Sequence, residues 1–176
     1  MTREHVDHPA WLASGRHYYS KIDWDRTDPV SVFRADNQEE VSSSNPGMLC
    51  LSLQASGRVV RVVNAAGHEE GVISPIGTVP GVRYAMHRNG RPVWVLSVRS
   101  LVRKRHRLEP TSGETWIFET PFFWQRQVIG SINGVPKLLG YVGPTKMFWL
   151  MWIEPGNDTL DVLSAVAFMH RNWWRW

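Results

Sequence analysis

The clearest chemistry in the sequence belongs to a run of cationic side chains in its middle. Arg99 is followed by the segment 103–107, which reads Arg-Lys-Arg-His-Arg. If this segment is a β-strand, Arg103, Arg105 and Arg107 lie on one face, because side chains alternate along a strand. Guanidinium groups grip phosphate through paired hydrogen bonds. The predicted anion-binding or lipid-binding residues are Arg99, Arg103, Lys104, Arg105 and Arg107.

The basic run also has an ordinary interpretation. It fits a solvated strand end, or a surface that contacts the chain's own acidic N-terminal part. Nucleic acid is not the predicted partner, because aromatic residues do not alternate with the arginines and no DNA- or RNA-binding motif accompanies them.

Aromatic side chains form two further groups that could touch a membrane or a partner. The chain ends in Trp173-Trp174-Arg175-Trp176, and Pro121 is followed by Phe122-Phe123-Trp124. Tryptophan favours the membrane interface, where a nearby arginine meets headgroups. The other interpretation of the tail is a plug of large rings that closes one end of the domain. The predicted membrane or partner contacts are Phe122, Phe123, Trp174 and Trp176.

No pattern of residues indicates catalysis or metal binding. His5 and His8 have a spacing that could hold a metal, but no further ligands accompany them. The glycines of Gly140-x-x-Gly143-x-x-Lys146 lack the Gly-Lys-Ser/Thr order of a phosphate loop. Cys50 lies in an apolar run and is predicted to be a small buried hydrophobe. We therefore predict a protein that is not an enzyme and that has no cofactor and no metal.

Length and composition limit the classes of protein. The 176 residues fit one domain, and a single cysteine excludes an intrachain disulfide. No stretch reaches the ~20 apolar residues of a membrane span, and no signal peptide is recognised, so a cytoplasmic location is predicted, with association at a membrane surface left open. The charge is uneven: residues 1–46 hold five Lys/Arg and eight Asp/Glu, whereas residues 47–176 hold fifteen and eight.

The elements that must position these residues are mostly short strands. From residue 47 onward, apolar runs alternate with turn residues, and Asn89-Gly90 and Asn133-Gly134 each separate two runs. Asn-Gly in that position is typical of a tight hairpin, because both residues must adopt positive φ. Residues 1–46 are polar and poorly periodic, so they are predicted to form an irregular acidic arm, with residues 47–176 as the folded domain.

The last element is predicted to be a buried helix. Asp158 is the predicted N-cap, and the residues from Val162 to Met169 are apolar on nearly every side. A helix without a polar face must be buried, and the only wall available is the sheet. A sheet that surrounds a helix must curl and close, which also removes its exposed edges. The roughly nine to eleven strand-like runs are consistent with such a barrel.

Three segments in this order resemble the LURP-one-related and phospholipid-scramblase-like proteins. They are the turn Asn64-Ala65-Ala66-Gly67 after the run 58–63, the segments 84–92 and 100–105, and Trp152-Ile153-Glu154-Pro155-Gly156-Asn157-Asp158 before the helix. The resemblance covers about residues 48–172. It implies a tubby-like fold, which is a closed antiparallel barrel of about twelve strands around a central helix. It also implies lipid-linked functions, although the acidic calcium-binding loop and the cysteine cluster of scramblases are absent from the sequence.

Two functions follow as expectations. The first is a non-catalytic module that binds anionic phospholipid or a protein partner through the basic residues. The alternative is a structural or assembly protein that makes protein contacts through a Trp-rich surface. A third hypothesis, an enzyme with an unrecognised site inside the barrel, is disfavoured because the helix fills the interior.

Overall fold

The fold is a mainly β structure that ends in one helix. The computed structural model describes residues 15–21, 29–35, 48–79, 82–100, 104–120, 127–142 and 148–172. The elements in chain order are β1 (Arg16–Lys21), β2 (Val30–Ala35), β3 (Met48–Ser56), β4 (Val59–Asn64), β5 (Glu69–Pro75), β6 (Arg83–Arg88), β7 (Arg91–Ser100), β8 (Arg105–Pro110), β9 (Trp116–Glu119), β10 (Gln127–Ile132), β11 (Val135–Val142), β12 (Phe148–Ile153) and α1 (Leu160–Asn172).

The twelve strands form a closed antiparallel barrel. Each strand pairs with its neighbours in sequence, and β1 pairs with β12 to complete the ring. The two Asn-Gly hairpins are confirmed: Asn89 and Gly90 have φ of 51° and 74°, and Asn133 and Gly134 have φ of 50° and 78°. These positive angles match the right-handed twist of the strands they join. The predicted fold class is therefore confirmed.

The predicted irregular arm over residues 1–46 is wrong for two segments. Residues 16–21 and 30–35 form β1 and β2, and both strands belong to the barrel wall. Tyr18, Val30 and Val32 point into the core and are buried. The wall could not close without β1, because it is the strand that joins β12 to β2. The remainder of residues 1–46 lies outside the described residues.

Helix α1 occupies the interior of the barrel, as the sequence predicted. Every residue from Val162 to His170 is buried, so the helix has no face in contact with solvent along this stretch. All twelve strands contribute inward-facing side chains to one core with the helix, among them Leu51, Trp94 and Phe118. Because the helix is apolar all round, only a wall that surrounds it can bury it.

The start of α1 corrects one prediction. Thr159, rather than Asp158, is the N-cap, because its hydroxyl accepts the backbone N–H of Val162 at 3.3 Å. Asp158 has a different partner set, since its carboxylate accepts hydrogen bonds from the Tyr18 hydroxyl at 2.5 Å and from Arg16 at 2.9 Å. The side chain of Asp158 therefore links β1 to the start of the helix.

The two ends of the barrel are distinguished by the helix. We call the end where α1 begins the upper end and the end where α1 finishes the lower end. Odd-numbered strands run from the upper to the lower end, and even-numbered strands return. Arg16 and Ile153 therefore lie at the upper end, and Ser100 and Glu119 lie at the lower end.

Gly140 makes room inside the wall for a tryptophan. A Cβ at this position would lie 2.6 Å from Cζ2 of Trp149, and the Trp149 ring is stacked on His170 of the helix with centroids 4.8 Å apart. We expect Gly140→Ala to lower the free energy of unfolding by about 2 kcal/mol, because overpacking a filled core forces its side chains off their preferred positions. Chemical denaturation measures this value.

The same measurement with Trp149→Leu provides the control for this mechanism. If the clash with the Trp149 ring is the cause, Gly140→Ala should cost much less in the Trp149→Leu background. An equal cost in both backgrounds would mean that the glycine is needed for another reason.

Candidate anion-binding surface and barrel-mouth cavity

Strand β8 directs its arginines to the outside of the barrel. Arg105 and Arg107 are partly or fully exposed, whereas His106 and Leu108 between them are buried and face the interior. This alternation follows from the pleat of the strand. Arg105 and Arg107 therefore share one outer face.

Two more arginines join this face through strand pairing. On β7, Ser97 lies opposite Arg83 of β6 on one side and opposite Arg107 of β8 on the other. The Cα atoms of Arg83 and Arg107 are therefore about 10 Å apart, two strand spacings. Arg99 follows two residues after Ser97 and is exposed, as is Arg83. We call Arg83, Arg99, Arg105 and Arg107 the arginine patch.

Arg83 was missed by the sequence analysis. It lies sixteen residues before Arg99 in the chain, and nothing in its own segment indicates a role. Only the register of β6 against β7 brings it to the patch. A basic residue at the start of the strand that precedes β7 was the one available signal.

Part of the charge of the patch is balanced locally. Arg107 lies 3.1 Å from Glu109, and Arg105 lies 3.8 Å from Glu119. All four side chains in these pairs are about half exposed, so each pair contributes little and can exchange its partner for another anion. Within the described residues, Arg83 and Arg99 form no salt bridge.

Lys104 occupies the turn before β8 rather than the outer face of the strand. Its backbone has a φ of 47°, and its carbonyl oxygen lies 3.2 Å from Nδ1 of His106. Partial burial lowers the pKa of the Lys104 ammonium group. Lys104 therefore belongs to the turn that closes β7 onto β8, next to the patch.

The lower end of the barrel carries an excess of cations among the described residues. Its only described acidic side chain is Glu119. The basic residues at or near this end are Arg58, Arg83, Arg99, Lys104, Arg105 and Arg171. At the upper end, in contrast, basic residues pair with acids: Arg88 with Glu70 and Asp161, and Lys137 with Glu154. The charge is thus unbalanced mainly at the lower end.

Five predicted site residues lie outside the described residues. They are Arg103, Phe122, Phe123, Trp174 and Trp176. The described residues on either side of their segments all lie at the lower end: Ser100 and Lys104, Thr120 and Gln127, and Asn172 at the end of α1. The topology thus brings the flanks of these segments to the end of the barrel that holds the patch.

A band of apolar side chains covers the outer face of the opposite wall. His17 of β1 lies opposite Ala35 on one side and Trp152 on the other, and Trp152 lies opposite Leu139, which is followed by Ile129. A second row contains Phe33, Tyr19 and Leu150. Leu139, Trp152 and Ile129 are partly exposed. We call the outward-facing side chains of these two rows the outer apolar band.

The connection from β12 to α1 is held in place at the upper end. Burial would raise the pKa of Asp158, but the hydrogen bonds from Tyr18 and Arg16 outweigh it and lower that pKa. Glu154 lies 2.6 Å from Lys137 and accepts a hydrogen bond from the Asn157 side chain at 3.0 Å. These contacts confirm a packing role for Glu154 beside the helix start.

A cavity of about 280 Å³ opens beside this connection at the upper end. Its inner part is apolar, with Trp94, Leu108 and Trp116 from three strands and Val162 from the helix. Its outer part carries polar side chains from the β8–β9 connection and the first turn of α1. The sequence analysis did not predict this cavity.

Other kinds of site receive no structural support within the described residues. No group of three or more His, Cys, Asp or Glu side chains in the described ranges could hold a metal ion. His5 and His8 lie outside those ranges. Cys50 is half-buried, and burial raises the pKa of its thiol. No helix in the described part of the chain is long and apolar enough to cross a membrane.

Comparisons with known proteins do not identify a relative. No family model, no curated protein and no solved structure matches the chain.

Proposed function

We propose that this protein is a non-catalytic binding module whose arginine patch engages the headgroups of anionic phospholipids. The observation that supports this proposal is the meeting of Arg83 and Arg99 with Arg105 and Arg107 on one outer face. Four guanidinium groups on neighbouring strands offer paired donors to several phosphate oxygens at once. Kinship with the tubby-like proteins is part of the proposal and is supported by the twelve-strand barrel with its inner helix.

The expected strength of this attraction is modest. A cationic residue near an anionic surface contributes about 1 kcal/mol. Glu109 and Glu119 offset part of the contribution of Arg107 and Arg105. The patch alone therefore supplies on the order of 2–3 kcal/mol, which must be supplemented by apolar contacts for stable binding. We propose that Phe122, Phe123, Trp174 and Trp176 supply those contacts, since the described residues that flank them lie at the lower end.

Vesicle co-sedimentation tests the arginine patch. We expect the double variant Arg83→Ala/Arg99→Ala to bind vesicles containing phosphatidylserine about 30-fold more weakly than the unchanged protein, because two charges at about 1 kcal/mol each are lost. Both side chains are exposed, so the fold should be kept. Binding should also weaken as the salt concentration rises.

The matched control removes two charges elsewhere. Arg61 and Arg91 are exposed, on the outer face of β4 and at the upper end of β7 respectively. Arg61→Ala/Arg91→Ala has the same net charge as the test variant and should keep most of the binding. Equal loss in the two variants would reduce the patch to a general effect of net charge, and unchanged binding in the test variant would reject the patch.

The outer apolar band supports an alternative function, a structural or assembly protein. Trp152, Leu139 and Ile129 lie in one row on the outer face and are partly exposed, and such rows are typical of protein contacts. Light scattering over a range of concentrations tests self-assembly. A molecular mass that rises with concentration, and falls back in Trp152→Ser, would favour assembly over lipid binding.

A further inference from the structure

The cavity at the upper end exists because the barrel wall is incomplete there. Strands β8 and β9 share only three residue pairs, which end at Leu108 opposite Trp116. Beyond this point β8 continues to Pro110 and pairs only with β7. The chain then crosses through residues 111–115 without strand pairing. The gap between the two strands exposes a recess that reaches inward to Trp94 and Val162.

The charged side chains that line the cavity all carry the same sign. They are Glu114 from the β8–β9 connection and Asp161 from the first turn of α1, and no Lys, Arg or His lines it. This is the reverse of the protein as a whole, whose formal net charge is +4. An anionic ligand would bring its charge next to two carboxylates, which is unfavourable.

Nearby groups balance only part of this negative charge. Oδ1 of Asp161 accepts a hydrogen bond from Arg88 at 3.0 Å, so that carboxylate is paired with a cation outside the cavity. Oε1 of Glu114 accepts a hydrogen bond from the Asn133 amide at 2.9 Å, which is a neutral donor. The charge of Glu114 is therefore not cancelled by this contact. A ligand with a single positive charge is the best electrostatic match.

From this geometry we propose that the cavity binds a small organic cation. Its ammonium group would lie beside Glu114, and its short apolar body would lie against the recess formed by Leu108, Trp116 and Val162. The volume of about 280 Å³ is near the lower limit of ligand pockets, about 300 Å³, so the ligand is smaller than a typical cofactor. The proposal does not depend on the arginine patch, which lies toward the other end of the barrel.

Calorimetric titration with three small probes of equal chain length tests the ligand class. The probes are butylammonium, butan-1-ol and butyrate. We expect saturable binding of butylammonium with a dissociation constant on the order of 1 mM, clearly weaker binding of butan-1-ol, and no binding of butyrate. Equal binding of the alcohol and the ammonium, or no saturable binding of butylammonium, would overturn the proposal.

Three variants locate the binding in the cavity. Glu114→Gln should weaken butylammonium binding at least about tenfold, because the charge-assisted hydrogen bond is lost. Ser112→Trp, which adds a large ring at the cavity edge, should abolish it. Glu109→Gln, which removes a carboxylate from the outer face of β8, should leave it unchanged. If Glu109→Gln weakens binding as much as Glu114→Gln does, the ammonium is responding to surface charge and the cavity assignment is wrong.

Discussion

Replacing Phe168 with alanine is expected to lower the free energy of unfolding by about 3–5 kcal/mol, a typical cost for removing a fully buried aromatic ring. Phe168 is 2% exposed and lies between helix and wall. Its ring contacts Tyr84 edge-on, with centroids 4.9 Å apart, and approaches Trp94 at 6.5 Å. Deleting the ring leaves a cavity that the surrounding strands cannot collapse to fill, because they are fixed in a closed wall.

Phe33→Ala is the matched control for this prediction. Phe33 stacks on Tyr19 at 5.3 Å, but it belongs to the outer apolar band and is only partly buried. Its loss should cost about 1–2 kcal/mol, since less apolar surface returns to water. Denaturant unfolding curves for the two variants measure the difference. Equal costs would contradict a helix that is buried inside the wall.

The helix and the barrel could be predicted because their signals are local. The residues Val162 to Met169 have no polar side, which by itself requires a surrounding wall, and each Asn-Gly dipeptide specifies its hairpin through backbone conformation. The N-cap was less certain from the sequence, because Asp158 and Thr159 are both good N-cap residues. Tertiary contact decides between them: Asp158 is bound by Tyr18 and Arg16 from β1.

The first two strands could not be predicted because their signals are weak. β1 contains Tyr18 and Tyr19, but it is only six residues long and polar or charged side chains follow it closely. Its stability comes from pairing with β12 and β2, which lie far away and nearby in the chain respectively. Pairing of this kind leaves little trace in the strand's own sequence.

The two candidate sites show the same limit. Arg105 and Arg107 could be assigned to one face from alternation alone, whereas Arg83 joins them only through the register of β6 against β7. The cavity was not predictable at all. Glu114 and Asp161 lie in segments with no common pattern, and they meet because the helix enters the barrel beside the gap between β8 and β9.

Acidification is expected to destabilise the protein through His106, which lies inside the wall of β8. Burial is the main cause that lowers the pKa of His106 from 6.5 to about 4. The charge of nearby Lys104 acts in the same direction, and the hydrogen bond to the Lys104 carbonyl oxygen opposes both. The folded protein therefore keeps this imidazole neutral at pH values where the unfolded chain protonates it.

The direction of the effect follows from proton binding. Between pH 6.5 and about 4 the unfolded state binds one more proton at this site than the folded state does, so stability falls as the pH falls. The loss at this site approaches about 3 kcal/mol near pH 4. His106→Asn removes the titrating ring and keeps a donor that can reach the Lys104 carbonyl oxygen. Its stability should therefore change less than that of the unchanged protein over this pH range.

Denaturant unfolding at pH 7 and pH 4.5 measures this linkage. His106→Asn should be the less stable protein at pH 7, because a buried ring is lost, and the difference between the two proteins should shrink by about 2 kcal/mol or more at pH 4.5. His68→Asn, at an exposed histidine in the turn between β4 and β5, should follow the unchanged protein at both pH values. A constant difference for His106→Asn would mean that the imidazole inside the wall is protonated as easily as in the unfolded chain, and that solvent reaches this part of the barrel.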